Sequence, residues 1–365
     1  MKRFFCLVTC AALLMFPSAF AEEEDDLLIE EVIEEVVTEK QKILDTDGSD
    51  ILTVTCTGDF TIGGDSRKRK NIFEDELSAQ GGDINFTMRN MRNVFLEDDL
   101  TLVNFEGTLT DSTYIPANKK ENQFLFSAPP EYVSMLSDNG IEAVSLENNH
   151  IMDHGQEVYE ETQRHLEEAG IVWSNSEHLG VFEAKGVKIA MLSYLCIDRY
   201  EKLWDKVPAD IAAAKAEYPL VIVSFHWGNE LDYSPTNNQI RMGRLAVDAG
   251  ADLVVGHHSH RMNPIEQYNG VYICYSLGNF CFSGNSKPSD MSSFVFQMRF
   301  RVKDGVCTPR GFRIIPIRIS SKTGRNDFIP TPYDSGANID SVLSTLRANG
   351  RKLEYAVQEY PLEWK

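Results

Sequence analysis

Five short apolar runs in this chain end in glycine, amide, carboxylate or imidazole side chains, and that repetition constrains the fold more than any other feature. Ile51–Cys56 breaks at Gly58-Asp59, and Leu100–Val103 runs into Asn104-Phe105-Glu106. Ala143–Leu146 delivers Glu147, Asn148, Asn149 and His150, with Asp153 and His154 close behind. Leu220–Phe225 ends at His226-Trp227-Gly228, and Leu253–Val255 opens into Gly256-His257-His258-Ser259-His260. A further run, Gly270–Ser276, leads to Leu277-Gly278-Asn279-Phe280. Helical spacing over Pro130–Asn139, Gln156–Ala169, Ile211–Glu217 and Asn238–Ala249 separates several of these runs, three of the four helices stopping at a glycine. Strands alternating with helices predict an α/β fold, and α/β folds place ligands at the C-terminal ends of their strands. The later runs Ser293–Val302 and Phe312–Ile319 alternate apolar with polar, which predicts antiparallel strands, and Asn338–Asn349 reads as a last helix.

Carboxylate, amide and imidazole groups gathered together are costly to desolvate unless a cation sits among them. They are also the usual protein ligands of divalent metals such as Mn, Fe or Zn. Asn104 and Glu106 alternate and so share one strand face. His258 and His260, two residues apart, project together from a turn, and His257 is expected to point away. The chemistry that uses such a set is metal-assisted hydrolysis. His150 is the expected proton donor, with Asp153 orienting it. Glu147 and Asn148 are assigned to supporting the site residues or to structure.

The formal charge of −20 excludes nucleic acid as a general partner. The N-terminus has the pattern of an export signal: Lys2-Arg3, the apolar run Phe4–Phe16, then Ala19-Phe20-Ala21. Cleavage after Ala21 is expected to give an exported, extracellular or envelope-associated protein. A lipoprotein reading through Cys10 is disfavoured, because Thr9 is bulky for that site. Residues 22–50 read as an acidic linker, 51–320 as the folded domain, and 321–365 as a C-terminal extension with one helix. Removing the leader leaves five scattered cysteines, neither a disulfide framework nor a thiolate metal site.

The ordered motifs Gly58-Asp59, Asn104-Phe105-Glu106, Asn149-His150 with Asp153-His154-Gly155, His226-Trp227-Gly228, Gly256-His257-His258-Ser259-His260 and Tyr275-Ser276-Leu277-Gly278-Asn279-Phe280 resemble those of the bacterial capsule-synthesis CapA family. Its members are also called poly-γ-glutamate synthesis proteins, and the family is related to the calcineurin-like metallophosphoesterases. The resemblance runs from about Leu52 to Phe282. It implies a four-layer α/β/β/α sandwich with a metal centre at the strand ends, one or two ions being held by Asp59, Glu106, Asn149, His226, His258 and His260. Two positions depart from the metallophosphoesterase pattern. Thr61 stands where a histidine follows the first aspartate, and the Asn104/Glu106 pair replaces the second aspartate.

The resemblance also implies a role in making, anchoring or trimming an anionic envelope polymer such as poly-γ-glutamate, with membrane synthase components as possible partners. Two readings follow: a hydrolase or transferase acting on an amide or phosphoester bond, or a non-catalytic polymer-binding or anchoring component. Arg67-Lys68-Arg69-Lys70 is a basic cluster in an acidic protein and, with Asn104 and Asn279, is the expected substrate-binding set.

Overall fold

A computed structural model describes residues 42–198 and 200–364. The expected export signal and the part of the expected linker up to residue 41 lie outside the described residues. A compact unit runs from Ile43 to Lys365. Its first residues form a turn in which Leu44 bridges Asp50, and that turn feeds the first long strand.

The larger sheet contains β1 (Asp50–Thr61), β3 (Leu100–Phe105), β6 (Ala143–Ser145), β7 (Val172–Ser174), β14 (Asn279–Phe282), β15 (Ser292–Lys303), β16 (Val306–Arg318) and β17 (Thr331–Pro332). Its order is β17-β16-β15-β1-β3-β6-β7, with β14 beside the end of β1. β1, β3, β6 and β7 run parallel, whereas β15–β17 form an antiparallel flank. The second sheet holds β8 (Gly180–Ala184), β9 (Val187–Cys196), β10 (Leu220–Trp227), β11 (Leu253–His257), β12 (Ile265–Tyr268) and β13 (Val271–Cys274). Its order is β12-β13-β11-β10-β9-β8, parallel through the middle and antiparallel at both edges. A small third sheet joins β2 (Gly64–Asp65), β5 (Phe126–Ala128) and β4 (Thr108–Leu109).

The two large sheets pack face to face. Leu52, Val54, Cys56, Leu100 and Leu102 from one meet Ile189, Ile222, Leu253 and Val255 from the other. The outer face of the first sheet is covered by Phe73, Tyr159 and Leu166 of helices Ile72–Ala79 and Gln156–Glu168. Helices Lys206–Glu217 and Asn237–Asp248 cover the second sheet through Val207, Ile211, Met242 and Ala246. The architecture is therefore the expected α/β/β/α sandwich. β10 is buried along its whole length, as a parallel strand covered on both faces should be. Residues after 320 share the core: β17 pairs with β16, and Val342 and Leu346 of helix Gly336–Asn349 reach the layer between the sheets. Among the described residues no helix is long and apolar enough to cross a membrane.

Gly58 lets two backbones meet where β1 ends. The Asp59 amide donates to the Gly278 carbonyl at 2.9 Å, and a Cβ on residue 58 would fall 2.0 Å from that oxygen. Gly58→Ala is therefore an overpacking substitution, expected to destabilise the fold by about 1–3 kcal/mol. The urea midpoint measures this, and an unchanged midpoint contradicts the close approach.

Candidate metal centre

Side-chain alternation turns the apolar layer between the sheets into a polar one at its end. On β3, Leu100 and Leu102 face the second sheet, so Asn104 and Glu106 do too, while Val103 and Phe105 enter the outer core. On β1 the pairing register slips between Cys56 and Asp59. Leu52, Val54 and Cys56 face inward before the slip, and Phe60 and Ile62 lie in the outer core beyond it. A bulge of this kind switches the strand face. It turns Asp59, otherwise outward, into the layer. On the opposite sheet Ile222 leads to His226, and Leu253 and Val255 lead to His257. The loop after β6 adds Asn149, His150 and Asp153.

Asp59 is fully buried and Glu106 is 1% exposed. Asn104 Nδ2 donates to Asp59 Oδ1 at 2.9 Å and lies 3.3 Å from His226 Nδ1. The amide N–H leaves that imidazole nitrogen as an acceptor, so His226 Nε2–H donates to Asn149 Oδ1 at 2.6 Å. His260 Nδ1 lies 3.0 Å from Asp59 Oδ2 and 2.8 Å from Asn279 Oδ1. Glu106 Oε1 sits between two imidazoles, 3.8 Å from His150 Nε2 and 3.9 Å from His226 Nε2. The His226 and His258 rings are 4.6 Å apart. Backbone strain collects here too: His258 and His260 have φ of 87° and 53°, and Leu231, whose amide donates to the Ser259 carbonyl, has φ of 64°.

His150 Nδ1 donates to Asp153 Oδ2 at 2.7 Å, which aims Nε2 at Glu106. Asp153 is fixed by the Phe126 amide at 2.8 Å and by Lys119 Nζ at 3.1 Å. Burial opposes a charge on His150, yet the Asp153 hydrogen bond and the Glu106 charge outweigh it and raise its pKa. Burial, then the Asp59 charge, pushes Glu106 up to about 7. Burial also works against the Asp59 anion, but the hydrogen bond and charge of His260 hold its pKa low. His260 itself rises to about 9: burial opposes its charge, and Glu106 and Asp59 prevail. Burial lowers His257 and His258 to about 4 and His226 well below its ordinary value, with neighbouring imidazoles adding to the effect on the last two.

The residues fit a divalent cation. Asn104 Oδ1, both Glu106 oxygens, His258 Nδ1 and both His257 nitrogens are buried without a hydrogen-bond partner. Each such orphan costs about 1–3 kcal/mol in a bare protein. Asp59, Glu106 and His260 each offer a ligand atom within 4.8 Å of the others. Asn149, His226 and His258 adjoin this trio. A set of oxygen and imidazole donors suits Mn, Fe or Zn. Among the described residues the metal-ligand group contains no thiol, and Cys56, Cys196, Cys274 and Cys281 are buried in the cores, where burial raises their pKa values.

The remaining expected residues stand elsewhere or act differently. The Arg67 guanidinium donates to the carbonyls of Lys119, Lys120 and Gln123, so it clamps a loop. Lys68 lies over the Phe124 ring, Lys70 pairs with Asp75, and Arg69 is exposed. Asn104 and Asn279 both hold ligand candidates. Glu147 accepts from the Ser176 amide, and Asn148 ties His150 N to the Phe105 carbonyl, which are structural roles.

Two residues were missed. His257 does not point away: it is the last residue of β11, on the same face as Leu253 and Val255, 3.6 Å from Asp59 Oδ1. Counting alternation one residue past Gly256 would have placed it. Lys119 comes from an irregular loop and carries no such signal.

The sequence profile of the family described as "Bacterial capsule synthesis protein PGA_cap" matches residues 53–284. The chain is 30% identical over 300 residues to the "PGA biosynthesis protein CapA" of Bacillus subtilis, covering 76% of this chain and 74% of that protein. It is 27% identical over 272 residues to the "Capsule biosynthesis protein CapA" of Bacillus anthracis, covering 68% and 64%. Among solved structures, the calcineurin-like phosphoesterase YfkN from Bacillus subtilis aligns with a TM-score of 0.44 at 14% identity, over 82% of this chain and 99% of that one.

Stripping the purified protein with a chelator and adding Mn²⁺ or Zn²⁺ should raise its melting temperature. A free ion at 100 times its Kd adds about 2.7 kcal/mol. Glu106→Gln should lose most of that gain. Equal melting curves with and without metal would count against the centre.

Proposed function

The chain belongs to the bacterial capsule synthesis protein family, and from that premise we propose that it is a metal-dependent hydrolase or transferase acting on an amide or phosphoester bond of an anionic envelope polymer, poly-γ-glutamate or a similar one. One observation carries the reading: an imidazole held by a buried carboxylate aims its free nitrogen at the carboxylate of a metal-ligand cluster. Asp59, Glu106, Asn149, His226, His258 and His260 would hold the ion. When bound, it lowers the pKa of a water and polarises the scissile group.

The chain's own residues do the rest. His150 Nε2–H protonates the leaving group; burial opposes the charged ring, but the Asp153 hydrogen bond and the Glu106 charge favour its protonated form. Asp153 Oδ2 fixes the ring through Nδ1 and stabilises the imidazolium, while Lys119 and the Phe126 amide keep that carboxylate in place. Asn104 anchors Asp59, and Asn279 anchors His260. The low-dielectric walls of the inter-sheet layer strengthen each of these interactions. Exposed Lys68, Arg69 and Lys120 are the basic residues available to an anionic polymer. The N-terminal export pattern would bring the domain to the envelope, where such a polymer and its membrane synthase are met.

Thr61 favours a second reading, a non-catalytic polymer-binding or anchoring component, because its hydroxyl replaces an expected imidazole. Turnover separates the two. Metal-loaded protein should cleave members of a panel of phosphomonoesters, phosphodiesters and poly-γ-glutamate. His150→Ala should lower kcat by about 10²–10⁴-fold while retaining the metal. The loss should be larger with alkoxide than with nitrophenolate leaving groups, which need no proton. Metal-loaded wild type that turns over nothing on the panel would favour the binding reading.

A further inference from the structure

One imidazole at the centre is buried without any hydrogen bond. His257 is 1% exposed, and neither of its ring nitrogens has a partner. It stands directly across from His226 in the β10–β11 register. The same face of β11 bears Leu253 and Val255, which pack in the apolar layer, so a leucine or valine would continue the core without leaving a polar group unsatisfied.

The nearest charged atom is Asp59 Oδ1, 3.6 Å from His257 Nδ1. That is too long for a hydrogen bond. It is close to the separation of two ligands sharing an ion, since donors about 2.1 Å from a tetrahedral or octahedral metal lie roughly 3.0–3.5 Å apart. On the other side of Asp59, His260 Nδ1 lies 3.0 Å from Oδ2, within the hydrogen-bond distance that His257 does not reach. Thr61, two residues beyond Asp59 on β1, brings no nitrogen here, and its Oγ1 is itself buried without a partner. A donor is thus absent from β1 and an unpaired one is present on β11, both beside the same carboxylate.

We propose that His257 is a ligand of the divalent ion held by Asp59 and takes the place of the imidazole that Thr61 cannot supply. The assignment rests on the metal reading of the centre and not on catalysis. The first histidine of Gly256-His257-His258-Ser259-His260 joins the other two at the centre. The one strand end and the turn after it then bring three imidazoles to the site.

The full chain, stripped of metal, is titrated with Co²⁺ and with Zn²⁺, following the visible Co²⁺ bands, the bound stoichiometry and the melting temperature. In His257→Leu the ion at Asp59 should bind about 100-fold or more weakly, exceeding the usual effect of losing an outer-shell partner. Its Co²⁺ bands should change in position and intensity. The metal-free variant should melt at or above the wild-type temperature, because leucine removes an unsatisfied buried group. His257→Gln gives the same metal readouts should the leucine variant fail to fold. Wild-type affinity, stoichiometry and spectrum in a folded variant would overturn the assignment and leave the centre standing. A wild-type protein that takes up no ion would overturn both.

Discussion

A two-residue alternation of side chains governs both the stability and the chemistry of this protein. The layer between the sheets is one continuous stack, with Leu52, Val54, Leu100, Ile222 and Val255 along its length and Asp59, Glu106, His226 and His257 at its end. Apolar burial, at about 25 cal/mol per Å², holds the two sheets at a fixed spacing. That spacing buries two carboxylates and several imidazoles beside one another. The polar end gains nothing from burial, and its groups are tolerated because the apolar length behind them is long. The slip after Cys56 departs from simple alternation, and it turns Asp59 into the layer.

Much of this was legible in the chain because strand ends carry their own punctuation. Gly58 before Asp59, the unbroken apolar run before His226, and the alternation of Asn104 with Glu106 each correspond to a local backbone event. The fold class followed from the same runs, as did the antiparallel pair β15 and β16 and the helices closed by Gly170 and Gly250, whereas the stretch before Gly140 is a 3₁₀ segment, Pro130–Val133, followed by the four-residue helix Ser134–Ser137. Where local signals ended, the reading weakened. His257 reads as pointing away when the run is ended at Val255, whereas β11 continues through Gly256 to His257. The residues after 320 read as an appendage, yet Phe328, Val342 and Leu346 fill the cores. Those contacts join residues far apart in sequence, and no periodicity records them.

The basic cluster shows a different limit. Charge in a sequence says what a surface offers only if the side chains are not already engaged. Arg67 holds three backbone carbonyls of the loop that carries Lys119, and Lys119 in turn reaches Asp153. His154 grips the same loop at the Tyr114 carbonyl. Arg67, expected at a docking rim, thus serves with Lys119 the placement of Asp153 and, through it, of His150. Arg69, Lys68 and Lys120 remain outside.

The donors are divided between the sheets: Asp59, Glu106 and Asn149 belong to one, His226, His257, His258 and His260 to the other. An intermediate with a single sheet formed would present half a coordination shell and grip an ion poorly. Metal would therefore enter late in assembly, after the halves have docked, and would act as a rivet across the seam. Its effect would fall on how slowly the finished molecule comes apart rather than on how quickly it forms. That is persistence built on a rate.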